Sequence, residues 1–259
     1  MSKEPKAGYS KERIIARVQA AAEEDISKFY QKSFINYTGH PNNSPILYTE
    51  LIAEWLLKPD HLALFDKDIT IHRTNYSYWT KTHTGNTTKN KTKSKTSSED
   101  SKNKKRTVNR EEEKIAMSLF KQQTLGPLGM VLDYQVPLSA TKNDKGVGAI
   151  DLLAYDGKVL RILELKKPSS KETMLRCVCE SYTYLKIIDK EKLINDFNKK
   201  LSKDMQIPAD TPLQACPLVF KDSAQYKELH EDKSSHTNLE ALMKKLDIKP
   251  YYLCYTVEM

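Results

Sequence analysis

Two carboxylates and a lysine lie within two apolar segments of a kind that usually forms buried strands. Asp151 lies in the first segment, VGAIDLLAY, and Glu164 and Lys166 lie in the second, KVLRILELKK. Carboxylates in apolar surroundings are costly unless a cation neutralises them. Mg²⁺ is one suitable cation, because it binds oxygen ligands and often needs only one or two carboxylates besides a substrate phosphate. The residue types therefore predict either a metal site beside an ammonium group or a simple Lys166–Glu164 ion pair at a strand end.

The dipeptide Asp156-Gly157 separates the two segments and is typical of a two-residue β-hairpin turn. In such a hairpin Asp151 pairs with Ile162, and Glu164 is its diagonal neighbour at roughly 7–8 Å. Because side chains alternate between the two faces of a strand, Asp151, Glu164 and Lys166 project from one face. This geometry favours the metal site over the ion pair.

Helices and strands on both sides of the hairpin must position these residues. A helix is predicted after Thr107 or Asn109, and its apolar stripe places Glu112 toward the buried side, with Glu113 next in preference. The alternative is that Glu111, Glu112 and Glu113 only stabilise the N-terminus of the helix. Strands are predicted at residues 130–138, 215–220 and 251–257, and helices at 171–188, 191–201 and 238–246. The predicted core therefore has the order α-β-β-β-α-β. An N-terminal, mainly helical region over residues 1–80 precedes it.

Most of the net positive charge lies in one low-complexity segment. Residues 81–106 contain nine lysines and arginines but only Glu99 and Asp100 as acids, whereas the whole chain has a net charge of +8. The segment has no large apolar residue, so burial cannot offset its ordering entropy, and we expect a disordered linker. The predicted organisation is an N-terminal region (1–80), this basic linker (81–106) and a second domain (107–259).

The run Asp151…Glu164-Leu165-Lys166 resembles the signature of the PD-(D/E)xK nuclease-like superfamily, which includes restriction endonucleases and RecB-type nucleases. Ile150 replaces the proline of that signature. The resemblance covers roughly residue 108 to the C-terminus. It implies a restriction-endonuclease-like α/β (α+β) fold, with a central mixed sheet flanked by helices.

The resemblance also implies roles for these residues. Asp151, Glu164 and the carbonyl of Leu165 would bind Mg²⁺ or Mn²⁺, Lys166 would act in catalysis, and Glu112 would complete the site. In RecB-like members the following helix carries a Gln-Xaa-Xaa-Xaa-Tyr pair that contacts DNA, and Glu180 and Tyr184 are similar to it, although Glu replaces Gln. Arg176 lies one turn earlier, and an Arg176–Glu180 surface pair is an equal alternative. Lys167 is interpreted as solvated or phosphate-facing.

The sequence therefore predicts a metal-dependent nuclease that hydrolyses phosphodiester bonds, most readily in DNA, with RNA left open. The alternative is a nucleic-acid-binding or scaffolding subunit that has no turnover of its own and acts in a larger complex. A homodimer or a partner subunit fits both readings. The sequence has neither a long apolar run nor a signal-peptide pattern, which predicts a cytoplasmic protein that does not bind membranes.

Overall fold

The computed structural model describes residues 8–65, 67–79, 103–141, 144, 146–231 and 235–254, with residues 103–110 described by their backbone. The helices are α1 (Lys11–Glu24), α2 (Tyr48–Leu56), α3 (Pro59–Phe65), α4 (Asn103–Gln122), α5 (Met174–Ile187), α6 (Lys190–Asn198), α7 (Ala224–His230) and α8 (Thr237–Lys245). The strands are β1 (Met130–Pro137), β2 (Ala149–Tyr155), β3 (Leu160–Leu165), β4 (Leu213–Phe220) and β5 (Tyr251–Leu253). The predicted core order is confirmed, with α6 added before β4.

The five strands form one mixed sheet in the order β1-β2-β3-β4-β5. Neighbouring strands are antiparallel from β1 to β3 and parallel from β3 to β5. Antiparallel strands can be joined by short loops, whereas the parallel pair β3–β4 requires a long crossover, which α5 and α6 provide. The fold is therefore a mixed α/β arrangement, with helices packed against the sheet.

The loop between β2 and β3 differs from the predicted two-residue turn. Tyr155 pairs with Leu160, so the loop contains four residues, Asp156–Val159. The Asp156 carboxylate accepts hydrogen bonds from the backbone N–H groups of Lys158 and Val159, both at 2.8 Å. These side-chain bonds stabilise a wider loop than the dipeptide alone predicts. The register shifts by two residues, so every side chain keeps its predicted face.

The sheet has a separate hydrophobic cluster on each face. Leu152, Leu163 and Leu165 pack with Ala116 of α4 in one cluster. The other cluster contains Leu153 and Ile162 of the sheet, much of α5, and apolar residues of the N-terminal region, including Ile14, Phe29, Phe34 and Leu51. Asp151 and Glu164 lie two residues from Leu153 and Ile162, so their side chains point to this second face. Helix α5 and the N-terminal region therefore lie on the same side of the sheet as these polar residues.

Helix α5 begins after Thr173, whose hydroxyl accepts a hydrogen bond from the N–H of Arg176. The helix therefore begins three residues later than the predicted start at residue 171. Almost the whole circumference of α5 is buried, as expected of a helix enclosed on two sides. The hydroxyl of Ser181 satisfies its hydrogen-bonding need internally by donating to the carbonyl of Cys177 at 2.8 Å.

Residues 81–102 of the predicted linker lie outside the described residues, whereas residues 103–106 belong to the first turns of α4. Within the described part of the chain, no helix is both long and apolar enough to cross a lipid bilayer.

Candidate functional site

One cavity of about 470 Å³ brings together the polar residues predicted from the sequence. Its lining includes four predicted catalytic residues (Asp151, Glu164, Lys166 and Glu112) and four predicted nucleic-acid-binding residues (Lys167, Arg176, Glu180 and Tyr184). Leu165 does not line the cavity. Its side chain is buried on the α4 face, and its backbone N–H points to Asp151.

Asp151 is held by a donor on each carboxylate oxygen. Its Oδ2 accepts a hydrogen bond from the Leu165 N–H at 2.9 Å, and its Oδ1 accepts one from Gln135 Nε2 at 2.8 Å. The pairing of Leu152 with Leu163 places Asp151 next to Glu164 across the β2–β3 strands. Each carboxylate oxygen can accept more than one bond, so Asp151 keeps lone pairs for a cation.

Gln135 has an unusual backbone conformation for a strand residue. Its φ of 49° lies in the left-handed region, and it follows an irregularity in the pairing of β1 with β2. A non-glycine residue in this region costs roughly 1–3 kcal/mol. Its neighbours Tyr134 and Val136 pair with Leu152 and Ile150, so Gln135 lies across from Asp151. The strained residue is thus the one whose amide reaches the candidate site.

Lys166 is buried and surrounded by carboxylates. Its Nζ donates to Glu164 Oε1 at 2.7 Å and to Glu180 Oε2 at 2.8 Å, and it lies 3.0 Å from Glu172 Oε2. An ammonium group has three donors; two of them are hydrogen-bonded to carboxylates, and Glu172 forms an ion pair with the same ammonium. The predicted Lys166–Glu164 ion pair is therefore present, as one contact within a larger charged cluster.

The electrostatics of the cavity follow from its burial and its excess of acids. Burial raises the pKa of Asp151 to about 7, and the nearby Glu112 carboxylate adds to the shift. Burial and then the Glu180 carboxylate raise the pKa of Glu164 well above its usual value. For Lys166, burial lowers the pKa, but Glu164 and Glu180 outweigh it and raise the pKa well above its usual value.

Glu112 is the acid of the α4 triplet that faces the cavity. Its Oε1 accepts a hydrogen bond from the Lys167 N–H at 3.2 Å, and burial raises its pKa. Glu111 instead forms a 2.6 Å ion pair with Lys167 Nζ at the surface. Glu113 is exposed and does not line the cavity. The helix phase predicted from the apolar stripe is therefore the one observed.

Helix α5 and the N-terminal region meet at the far side of the cavity. Tyr184 OH donates to Glu180 Oε1 at 3.2 Å and accepts from Tyr30 OH at 3.5 Å. Arg176 donates from Nη1 to the carbonyl of Tyr30 at 2.7 Å. Its Nε lies 3.7 Å from Glu180 Oε2 but 2.8 Å from Glu172 Oε1. The predicted Arg176–Glu180 pair is thus secondary to an Arg176–Glu172 pair.

The donor set suits a hard divalent cation in one specific respect. Glu164 Oε2 is buried and accepts no hydrogen bond within the described residues. A buried carboxylate oxygen without a partner is costly, and a cation beside it would remove that cost. Across the described ranges, however, no cluster of three or more His, Cys, Asp or Glu side chains has a metal-binding arrangement. The fit therefore depends on Asp151 and Glu164 as a two-carboxylate set.

Comparison with known proteins identifies no relative. The sequence matches no family model, and comparisons with curated proteins and with solved structures give no significant match. The function must therefore be argued from the cavity and its residues.

Sequence reasoning missed Gln135 and Glu172. Gln135 could have been found as a polar residue in an apolar strand, but only with the register that places it across from Asp151. Glu172 falls in the first turn of the helix predicted at 171–188, but it lies in an irregular segment before α5, so the helical period gave no guide to its direction. Only the fold brings its carboxylate to Lys166 and Arg176.

Proposed function

We propose that this chain is a metal-dependent nuclease with a restriction-endonuclease-like fold and that its substrate is DNA. One observation carries the proposal: Asp151 and Glu164 lie side by side on antiparallel strands, and Lys166 and Glu112 share their cavity. An acidic pair beside a lysine and an open cavity is a suitable arrangement for phosphodiester hydrolysis. The α-β-β-β-α-β order around the sheet agrees with the superfamily that the motif resembles.

Asp151 and Glu164 would bind Mg²⁺ or Mn²⁺, with Glu112 as the neighbouring acid. A metal ion held by these residues would lower the pKa of a bound water and neutralise charge that develops on the phosphate. Gln135 and the Leu165 N–H orient the Asp151 carboxylate toward the cavity. Leu165 would contribute its carbonyl oxygen, which leaves its side chain in the opposite core.

Lys166 acts as an ammonium in this mechanism. Because Glu164 and Glu180 raise its pKa well above the usual value, it holds its proton at neutral pH and is unsuited to act as a general base. It donates hydrogen bonds, so its role is to stabilise negative charge on the phosphate oxygens in the transition state. Lys167 and Arg176 line the same cavity and add positive charge for the nucleic-acid backbone.

Replacing Asp151 by Asn tests the proposal most directly. The Asn side chain keeps its shape, and Gln135 can rotate its amide to accept from the new NH₂ group, so the fold is expected to survive. Cleavage of linear, circular, branched and single-stranded DNA with Mg²⁺ or Mn²⁺ should fall by at least about 100-fold, because a charged metal ligand is lost. DNA binding in EDTA should stay within about threefold, since affinity comes from phosphate contacts elsewhere.

Glu113→Gln is the matched control for Asp151→Asn. It removes one carboxylate from an exposed position near the site, outside the cavity lining, and should leave cleavage unchanged. Absence of cleavage by the wild type with every substrate and both metals would overturn the nuclease proposal.

A binding subunit without turnover is the second candidate. The observation that favours it is that the Lys166 ammonium already has three acidic partners within the protein. In that case Asp151→Asn would alter stability alone, and DNA or protein binding would be the measurable activity.

A further inference from the structure

Glu172 connects the two cations of the cavity. Its Oε1 lies 2.8 Å from Arg176 Nε and its Oε2 lies 3.0 Å from Lys166 Nζ. Basic side chains bind a phosphate group in the same way, with two oxygens of the anion each in contact with a different cation. The carboxylate therefore occupies a position that suits two non-bridging phosphate oxygens.

Glu172 differs from the other acids around Lys166 in its exposure and its attachment. Its side chain is 30% exposed, whereas those of Glu164 and Glu180 are 6% and 8% exposed. Glu164 lies on β3 and Glu180 on α5, while Glu172 lies in the irregular segment between them. Of the three carboxylates, Glu172 can leave Lys166 with the smallest disturbance to buried structure.

The backbone around Glu172 is fixed independently of its side chain. Its carbonyl accepts a hydrogen bond from Gln225 Nε2 at 2.6 Å. The adjacent Thr173 donates from its hydroxyl to the carbonyl of Ile35 at 2.6 Å and from its N–H to Asn36 Oδ1 at 3.2 Å. The ion pairs to Lys166 and Arg176 involve only the carboxylate. A rotamer change would therefore release both cations without moving the chain.

The charge balance permits this exchange. A glutamate carboxylate and a phosphodiester group each carry one negative charge, so replacing one by the other leaves the net charge of the cavity unchanged. The buried cations would not lose an anionic partner, which is the costly event for a charge inside a protein.

We infer that Lys166 and Arg176 form a phosphate-binding site and that Glu172 fills it until a phosphodiester of the nucleic-acid backbone displaces the carboxylate. We refer to these two residues as the Lys166–Arg176 anion site. The inference rests on the proposed function, since it identifies the side chain that occupies the anion site of the same cavity before the nucleic acid binds. It predicts that an acid in the site lowers substrate affinity, whereas a metal-ligand or catalytic role for Glu172 predicts no such effect on binding in EDTA.

Two variants of Glu172 test the inference together. Glu172→Gln removes the charge, and Glu172→Asp keeps it but shortens the side chain by one methylene, so that it no longer reaches both cations. Both should bind DNA more tightly in EDTA, by roughly tenfold for Gln and about threefold for Asp, because the competing internal anion is lost or weakened. Fluorescence anisotropy with a labelled duplex and a labelled single strand measures the change.

The control again is Glu113→Gln, which removes an acid from the protein surface near the cavity. An equal gain for Glu113→Gln and Glu172→Gln, with none for Glu172→Asp, would show a general charge effect and overturn the inference. Adding Arg176→Gln to Glu172→Gln should abolish the gain, because one half of the anion site is removed.

Inorganic phosphate provides a readout that requires neither metal nor nucleic acid. Millimolar phosphate should raise the melting temperature of Glu172→Gln more than that of the wild type, because ligand binding to the folded state adds to its stability. Equal shifts in the two proteins would overturn the inference. If Glu172→Gln gains affinity for DNA and phosphate, yet the wild type cleaves nothing with any metal, the anion site stands and the nuclease proposal fails.

Discussion

Lys166 is a structural residue as well as a catalytic candidate, because the acids around it depend on its charge. Its removal leaves Glu164 and Glu180 buried without their cation. Breaking a buried ion pair by removing one partner costs about 3–5 kcal/mol. We therefore expect Lys166→Met to lower the free energy of unfolding by about this amount in urea denaturation. Lys158→Met, in the exposed β2–β3 loop, is the control, and an equal loss in both would contradict the prediction.

The size of this effect does not follow from the sequence. The sequence indicates only Glu164 as an acidic partner for Lys166. The sequence does not reveal that Glu180 and Glu172 reach Lys166, since both come from beyond the hairpin.

Replacing Gln135 by glycine should affect the stability of the protein and its metal affinity in opposite directions. Gln135→Gly should stabilise the protein by about 1 kcal/mol, because glycine adopts a positive φ without steric cost. It should also weaken Mn²⁺ binding several-fold, because the Asp151 carboxylate loses the donor that orients it. Electron paramagnetic resonance of free and bound Mn²⁺ measures the affinity, and urea denaturation the stability.

Gln135→Met is the matched variant, since it keeps the side-chain length and the strained φ but loses the amide. It should bind Mn²⁺ as weakly as Gln135→Gly without gaining stability. Wild-type Mn²⁺ affinity in both variants would show that Gln135 serves only the backbone.

Asp151 makes stability depend on pH. Its pKa rises from an ordinary value near 3.8 to about 7 on folding, so the folded protein binds the proton more tightly than the unfolded chain. The contribution is fully present below pH 4 and is lost as the pH rises through about 7. In EDTA, the free energy of unfolding of the wild type should therefore fall across this range relative to Asp151→Asn, by roughly 1–3 kcal/mol. Added Mg²⁺ should reduce the difference, because it favours the ionised carboxylate; a flat difference would contradict the shift.

At the scale of the elements, the loop from β2 to β3 depends on Asp156. Its carboxylate accepts two backbone N–H groups and forms a 2.6 Å ion pair with Arg161. Asp156→Ala should lower the free energy of unfolding by roughly 1–3 kcal/mol, because both N–H groups lose a charged acceptor. Thermal denaturation measures the loss. Lys158→Ala in the same loop keeps the Asp156 contacts and should have little effect.

The elements of the sheet were largely predictable, since apolar alternation and turn residues are local signals. β2 and β3 were predicted from two apolar segments that flank Asp156-Gly157, and the helix predicted at 171–188 matches α5 except for a start three residues too early. The four-residue loop was not predictable, because the Asp156 side chain stabilises it against the turn that Asp-Gly favours. The positive φ of Gln135 follows an irregularity in the pairing of β1 with β2, and no local sequence pattern predicts either feature.

At the scale of the molecule, the N-terminal region completes the core of the sheet domain. Phe29, Phe34 and Leu51 belong to the same hydrophobic cluster as Val178 of α5. Losing a single large core side chain costs about 3–5 kcal/mol, whereas a whole domain is stable by only about 5–15 kcal/mol. A protein lacking residues 1–79 should therefore fail to fold cooperatively. Circular dichroism melting and binding of a hydrophobic dye measure this, and a sharp transition like that of the full chain would contradict it.

The four-residue loop has a consequence for how this chain tolerates changes in length. A gain or loss of two loop residues slides β3 along β2 and returns every side chain to its own side of the sheet. A single-residue change that shifts the pairing would turn β3 over, so that Leu163 and Leu165 would face the charged cavity while Glu164 would enter the opposite core. Insertions and deletions at this loop should therefore be tolerated when they change its length by two residues, because the alternation of side chains then keeps Glu164 on the face of the cavity.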